Sequence, residues 1–153
     1  MCIIVDANLA AIVFNSPPPN DFYPLIDWLT RGEGKLVIGG KLSSEIDRVT
    51  VAKRFIRALL QAGKARVIPS TIIDIEIRVI ANLCESNDQH IIALARVSGA
   101  RILCSHDTML HRDFTNLALI SIPRGHVYQN ANHSHLLRLY GHTEACRRSM
   151  GQQ

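Results

Sequence analysis

Residues 88–107, Asp88-Gln-His-Ile-Ile-Ala-Leu-Ala-Arg-Val-Ser-Gly-Ala-Arg-Ile-Leu-Cys-Ser-His-Asp107, read as a helix, a stop and a strand with an acid at each end. Apolar residues recur at helical spacing from Asp88 to Val97, Ser98-Gly99 ends that helix, and residues 101–104 form a short apolar strand. A helix feeding a buried strand is the repeating unit of a parallel α/β sheet. The rest of the chain repeats it.

Upstream, residues 2–6 are a continuous apolar run suited to a central parallel strand buried on both faces, and it ends in Asp6. Asn15-Ser-Pro-Pro-Pro-Asn20 breaks the chain, and Phe22, Leu25, Ile26 and Leu29 then mark a helix over 21–30 that Arg31-Gly-Glu-Gly34 terminates. A strand over 35–38, helical material over 43–62 and a strand over 65–68 follow, with Ser44-Glu-Ile-Asp47 in capping-box form. Residues 71–84 alternate like a strand, yet Ile73, Ile77, Ile80 and Leu83 also fit a helix, which the length favours. Downstream, a short helix over 107–112 and a last strand over 117–122 are expected to close the sheet. After Pro123 the pattern fades. The tail, 125–153, carries His126, His133, His135 and His142 and one short amphipathic piece, Leu136-Leu-Arg-Leu-Tyr140, and is expected to belong to the same domain. The fold class is α/β: a central, mostly parallel sheet of four to five strands, right-handed crossovers, and helices on its faces.

Ligands of such sheets sit beyond the carboxyl ends of the strands. Asp6, Glu45, Asp88 and Asp107 all fall at that edge, four of only 13 acids in the chain. Each has a plainer explanation, since an acid before or within a first helical turn is favoured by the helix dipole. Their coincidence at one edge argues for a site. Clustered carboxylates repel, so they persist only with protons or a cation among them. Asp107 and Asp113 compete for the fourth place; six residues apart, they point about 240° apart on a helix, and Asp107 directly follows the strand. Asp113 reads as a solvated surface acid held in reserve. Asn8 and Ser105 are secondary candidates beside Asp6 and Asp107. His90, His106 and His111 flank the region and read as surface or supporting residues.

The segments Ile3-Ile-Val-Asp-Ala-Asn8, Lys35–Ile46 and Asn87–Phe114, taken in order, resemble the PIN-domain family of metal-dependent nucleases. The motif Asp88-x-x-Ile-x-Ala-Leu-Ala and the strand running into Ser105-x-Asp107 carry most of the likeness, which spans residues 3–124. The resemblance implies a three-layer PIN-like nuclease domain over 1–124 and a metal-dependent endoribonuclease. Asp6, Glu45, Asp88 and Asp107 would hold one or two Mg²⁺ or Mn²⁺ ions, and Ser105 would stand at the family's small hydroxyl position. It also implies a role as the toxin of a toxin–antitoxin pair, with an antitoxin protein as partner and a homodimeric state.

The residue chemistry agrees with that expectation. Hard oxygen ligands select Mg²⁺ or Mn²⁺, ions that keep several waters and leave positions for phosphate oxygens. For substrate, the stretch from Arg48 to Ile73 holds six basic residues and no acid, within a net charge of +4. Lys53, Arg54 and Arg57 are the candidates for RNA backbone contact, with a solvated helix face as the plainer alternative. Aromatic residues make up 5% of the chain, too few for stacked base readout.

Two other function classes are open. A non-catalytic interaction module on the same fold would bind no metal. A phosphoacceptor receiver domain would want paired acids after the first strand and a Lys after the last, where this chain has a single Asp6 and Pro123-Arg124. No apolar run approaches the ~20 residues that cross a bilayer. The opening residues lack a basic segment and a cleavage site, so a cytoplasmic protein with reduced thiols is expected. Cys2, Cys84, Cys104 and Cys146 show no zinc spacing, and Cys2 and Cys104 fall on adjacent expected strands.

Overall fold

β1 (Cys2–Val5) is buried along its whole length and lies at the middle of the sheet. In the computed structural model, which describes residues 2–139 and Cys146, it pairs on one side with β2 (Lys35–Gly39) and on the other with β4 (Ile102–Cys104). β3 (Ala65–Ile68) extends the sheet beyond β2, and β5 (His126–Tyr128) extends it beyond β4. The order is β3-β2-β1-β4-β5, every pairing is parallel, and helices cover the faces in the three-layer arrangement expected from the sequence.

The chain leaves β1 toward β2 and β3, then crosses back to the far side of β1 to form β4. That reversal is a topological switch point, and it opens a crevice between the carboxyl ends of β1 and β4. The Asp6 amide donates to the Cys104 carbonyl (2.9 Å), locking the two strand ends together there. With right-handed crossovers, the connections after β1 and β2 cover one face and those after β3 and β4 the other. The first group is α1 (Ala7–Val13), α2 (Tyr23–Thr30), α3 (Gly40–Asp47) and α4 (Thr50–Gln61). The second is α5 (Ser70–Ile80), α6 (Gln89–Ser98) and α7 (Thr108–Thr115). α6 is enclosed because Ile91, Ile92, Ala93, Leu94 and Ala95 are all buried, and Gly99 (φ +78°) caps it where the sequence placed the stop.

Four elements differ from expectation. The helical stretch 43–62 is two helices, and Ser44, inside α3, caps nothing; Gly39 holds the N-cap. α1 directly after Asp6 is an additional helix. Residues 117–122 form turns, not a strand. Asn116 captures them: its carbonyl accepts from Leu119 and Ile120 and its side chain from Ala118, which buries Leu119 and Ile120 and leaves Ile122 93% exposed. The last strand is β5, within the stretch that reads as a tail. A 3-10 turn over Ala131–His133 follows, and the amphipathic piece forms α8 (Leu136–Leu139), with Leu136 and Leu137 buried. His142 and the remainder of the expected tail lie outside the described residues.

The cysteines also differ. Cys2 is joined by a disulfide to Cys146, across 144 residues of chain, while Cys84 and Cys104 are free. Cys2 and Cys104 are not opposite one another, because Val5 is the register partner of Cys104. Burial pushes the Cys104 thiol far above its ordinary range. No helix among the described residues is long and apolar enough to cross a membrane.

Candidate functional site

Asp6 stands where β1 turns into α1 and is buried. As N-cap it accepts a long bond from the Asn8 amide (3.4 Å) on Oδ1, while Oδ2 accepts from the Ser105 hydroxyl (2.9 Å). Ser105 is fully buried at the end of β4, and its oxygen also accepts from the Asp107 amide (3.1 Å). One hydroxyl therefore orients the Asp6 carboxylate and fixes the turn that carries Asp107. Asn8 contributes its backbone amide and has its side chain exposed.

Glu45 reaches the edge from the second turn of α3. That helix begins where Gly39 and Gly40 let the chain turn sharply out of β2: a Cβ on Gly39 would lie 2.6 Å from the Ile68 carbonyl oxygen, and Gly40 has φ +55°. Asp88 precedes α6 as N-cap, yet its carboxylate makes no capping bond, so the helix-end explanation does not account for it. Beside Glu45 lies His90, only 6% exposed, so of its two readings, surface or supporting, burial selects the supporting one. Its Nε2 lies 3.1 Å from Glu45 Oε1. Burial depresses the His90 pKa, Glu45, Asp88 and Asp6 oppose that shift through their charges, and Lys41 adds to it. Glu45 is the acid in direct contact with the imidazole, and Asp6, Asp88 and Lys41 act on it through charge alone. The position of His90 two residues after Asp88 was the available signal; burial was not readable from it.

The last two acids separate. Asp107 caps α7, its Oδ1 accepting from Met109 (3.0 Å) and Leu110 (3.2 Å), so it is partly occupied with the helix. Asp113 is not a solvated acid: it is 1% exposed, and its two oxygens accept from the Glu85 and Ser86 amides (2.9 Å each). Both oxygens hold the loop between α5 and α6, which removes Asp113 from the candidate ligands. His111 Nε2 lies 2.6 Å from the Ser105 carbonyl, a support to the same turn.

A divalent cation fits this donor set in part. Glu45 Oε1 is buried without a hydrogen bond, although His90 Nε2 lies 3.1 Å from it. A buried carboxylate oxygen in that state is costly unless a cation or proton meets it. Among the described residues no three His, Cys, Asp or Glu groups already stand as a common ligand set. Mg²⁺ needs only one or two carboxylates with water completing its octahedron. Glu45 and Asp88 are the uncommitted pair, with Asp6 beside them.

Lys53, Arg54 and Arg57 are all exposed on α4, and with Thr50 they line a shallow cavity of about 280 Å³. The six basic residues do not form one face: Lys64 bonds the Gly32 carbonyl beside Lys35, at the opposite edge of the sheet. Comparisons with protein-family models, curated proteins and solved structures found no match.

Proposed function

We propose that the protein is a metal-dependent endoribonuclease whose site is the crevice between β1 and β4. The observation that carries this reading is Glu45 Oε1, buried and unsatisfied at the carboxyl edge of the sheet, where the turn after β1 places Asp6 and the start of α6 places Asp88. Asp88 and Glu45 would hold Mg²⁺ or Mn²⁺, and Asp6, oriented by Ser105, would complete the set; Asp107 is a weaker fourth member. A cation held there would supply an activated water and neutralise charge on a phosphodiester. His90 lies beside Glu45, and its burial opposes protonation of the imidazole next to the proposed cation. Lys53, Arg54 and Arg57 supply a backbone-binding surface for RNA. The likeness to toxin PIN domains adds an antitoxin partner and a homodimer to this proposal.

The test is cleavage of single-stranded and structured RNA by the purified chain with Mn²⁺, with EDTA and in Asp88→Ala. Cleavage that EDTA stops and Asp88→Ala abolishes, in a variant that remains folded, is expected. Asp88 makes no cap bond, so its loss removes a ligand and little else. A folded protein that binds Mn²⁺ but cuts no RNA or DNA would favour the interaction module, a reading supported by the helix-capping role of Asp107.

A further inference from the structure

Arg101 stands just before β4, at the sheet edge opposite the acids, and is only 9% exposed. Its guanidinium donates to three carbonyls, from Nε to Pro123 and from Nη1 to Ala95 and Ala100, each at 2.9 Å. No carboxylate is among these partners. The neighbouring Arg96 does have one: its Nε donates to Glu76 Oε1 (2.6 Å), and its Nη1 to the Leu119 carbonyl. Burial, and then the charge of Arg96, hold Arg101 below the ordinary arginine range.

Glu76 neutralises Arg96. Ala95 belongs to the last turn of α6, whose carbonyl end carries partial negative charge, but no carboxylate pairs with Arg101. An unpaired charge in a poorly hydrated position is unfavourable. Next to it is a cavity of about 280 Å³ lined by Glu76, Arg96, Val97, Arg101, Leu119 and Ser121. We propose that this cavity binds a phosphate-type oxyanion, either free or carried on a small phosphate monoester. Two guanidinium groups approaching from different elements, with a hydroxyl on the rim, suit the several oxygens of a tetrahedral anion better than the two of a carboxylate. Arginine offers five N–H donors, and Arg96 and Arg101 each retain some beyond the bonds described. The acidic crevice at the other end of the sheet takes no part.

The experiment is calorimetry and thermal denaturation of the full chain in EDTA, at ionic strength held constant with chloride. The probes are inorganic phosphate, a nucleoside monophosphate and the parent nucleoside. EDTA removes any phosphate held through a cation at the acids. Phosphate should raise the melting temperature above the chloride reference, and the nucleoside should not. Ser121→Asp, at an exposed position on the rim, should weaken phosphate binding at least about tenfold by like-charge repulsion while leaving the chloride-reference melting temperature unchanged. Arg101→Gln should weaken it too; if that variant fails to fold, Ser121→Asp decides alone. Tighter binding of the monophosphate than of phosphate identifies a monoester ligand, and binding of phosphate alone identifies the free anion. No response to phosphate at tens of millimolar, or equal affinity in Ser121→Asp, overturns the proposal.

Discussion

Asp6 and Asp113 show how differently two carboxylates of similar burial can be used. Asp6 is directed by one hydroxyl into a crevice, whereas Asp113 has both oxygens tied to backbone amides. The first role was legible because an acid at the end of an apolar strand has a fixed address in a parallel sheet. The second was not, because the partners of Asp113, Glu85 and Ser86, lie 28 and 27 residues upstream and only the packing of α7 against that loop brings them close. The enclosure of His90 was hidden for the same reason: burial is a tertiary property. Asp113→Ala should therefore orphan two amides and destabilise the protein by at least ~1–3 kcal/mol, measured by urea denaturation. An unchanged midpoint would mean the loop does not depend on that carboxylate. Histidine burial also sets a pH response. His126 is held below the usual imidazole range by burial, then by Arg124 and His135, and His90 is depressed as well. A depressed histidine binds fewer protons folded than unfolded, so stability is full above the unfolded value of about 6.5 and falls as pH drops through the folded value. Denaturation at pH 7.5 and pH 5.5 should show that loss, and His126→Gln should reduce it; a variant with the wild-type pH slope would contradict the assignment.

Elements were legible where periodicity and punctuation agreed. β1 and α6 are apolar enough, and α6 is punctuated clearly enough by Gly99, that only their ends shifted by a residue. Residues 117–122 had the composition of a strand, but Asn116 supplies a carbonyl and a side-chain acceptor that turn the backbone on itself, a local competition that hydropathy does not register. β5, three residues opening on a histidine, had almost no signal of its own; it forms because β4 presents an open edge in register with Ile102–Cys104. The basic helix α4 carries the proposal for RNA contact. Replacing Lys53, Arg54 and Arg57 together by Gln should weaken RNA binding and lower the slope of log affinity against log salt by about 0.7 for each single-strand phosphate that is no longer neutralised. An unchanged slope would show that this face of α4 is only solvated surface.

At the scale of the whole molecule, strand order decides where chemistry can occur. With β1 flanked by β2 and β4, the described strands reverse their order at one crevice, and Asp6, Glu45 and Asp88 lie on three different connections at that edge of the sheet. The sequence located this edge because strand ends can be counted. It did not reveal the Cys2–Cys146 disulfide, a contact between cysteines 144 residues apart in the chain, nor the separation of Lys64 from the α4 cations. The oxyanion cavity at Arg101 lies at the opposite edge, so the two ends of one sheet would carry opposite charge preferences. The cation proposed for these acids is sought by calorimetric titration of Mn²⁺ into the wild-type chain and into Asp6→Asn. Millimolar or tighter binding should appear in the wild type, with a matching rise in melting temperature, since a ligand that prefers the folded state stabilises it. Asp6→Asn, whose amide oxygen can still accept from Ser105, should remain folded and lose most of that binding. Absence of Mn²⁺ binding to the folded wild type, with no thermal shift, would mean that these acids form no cation site.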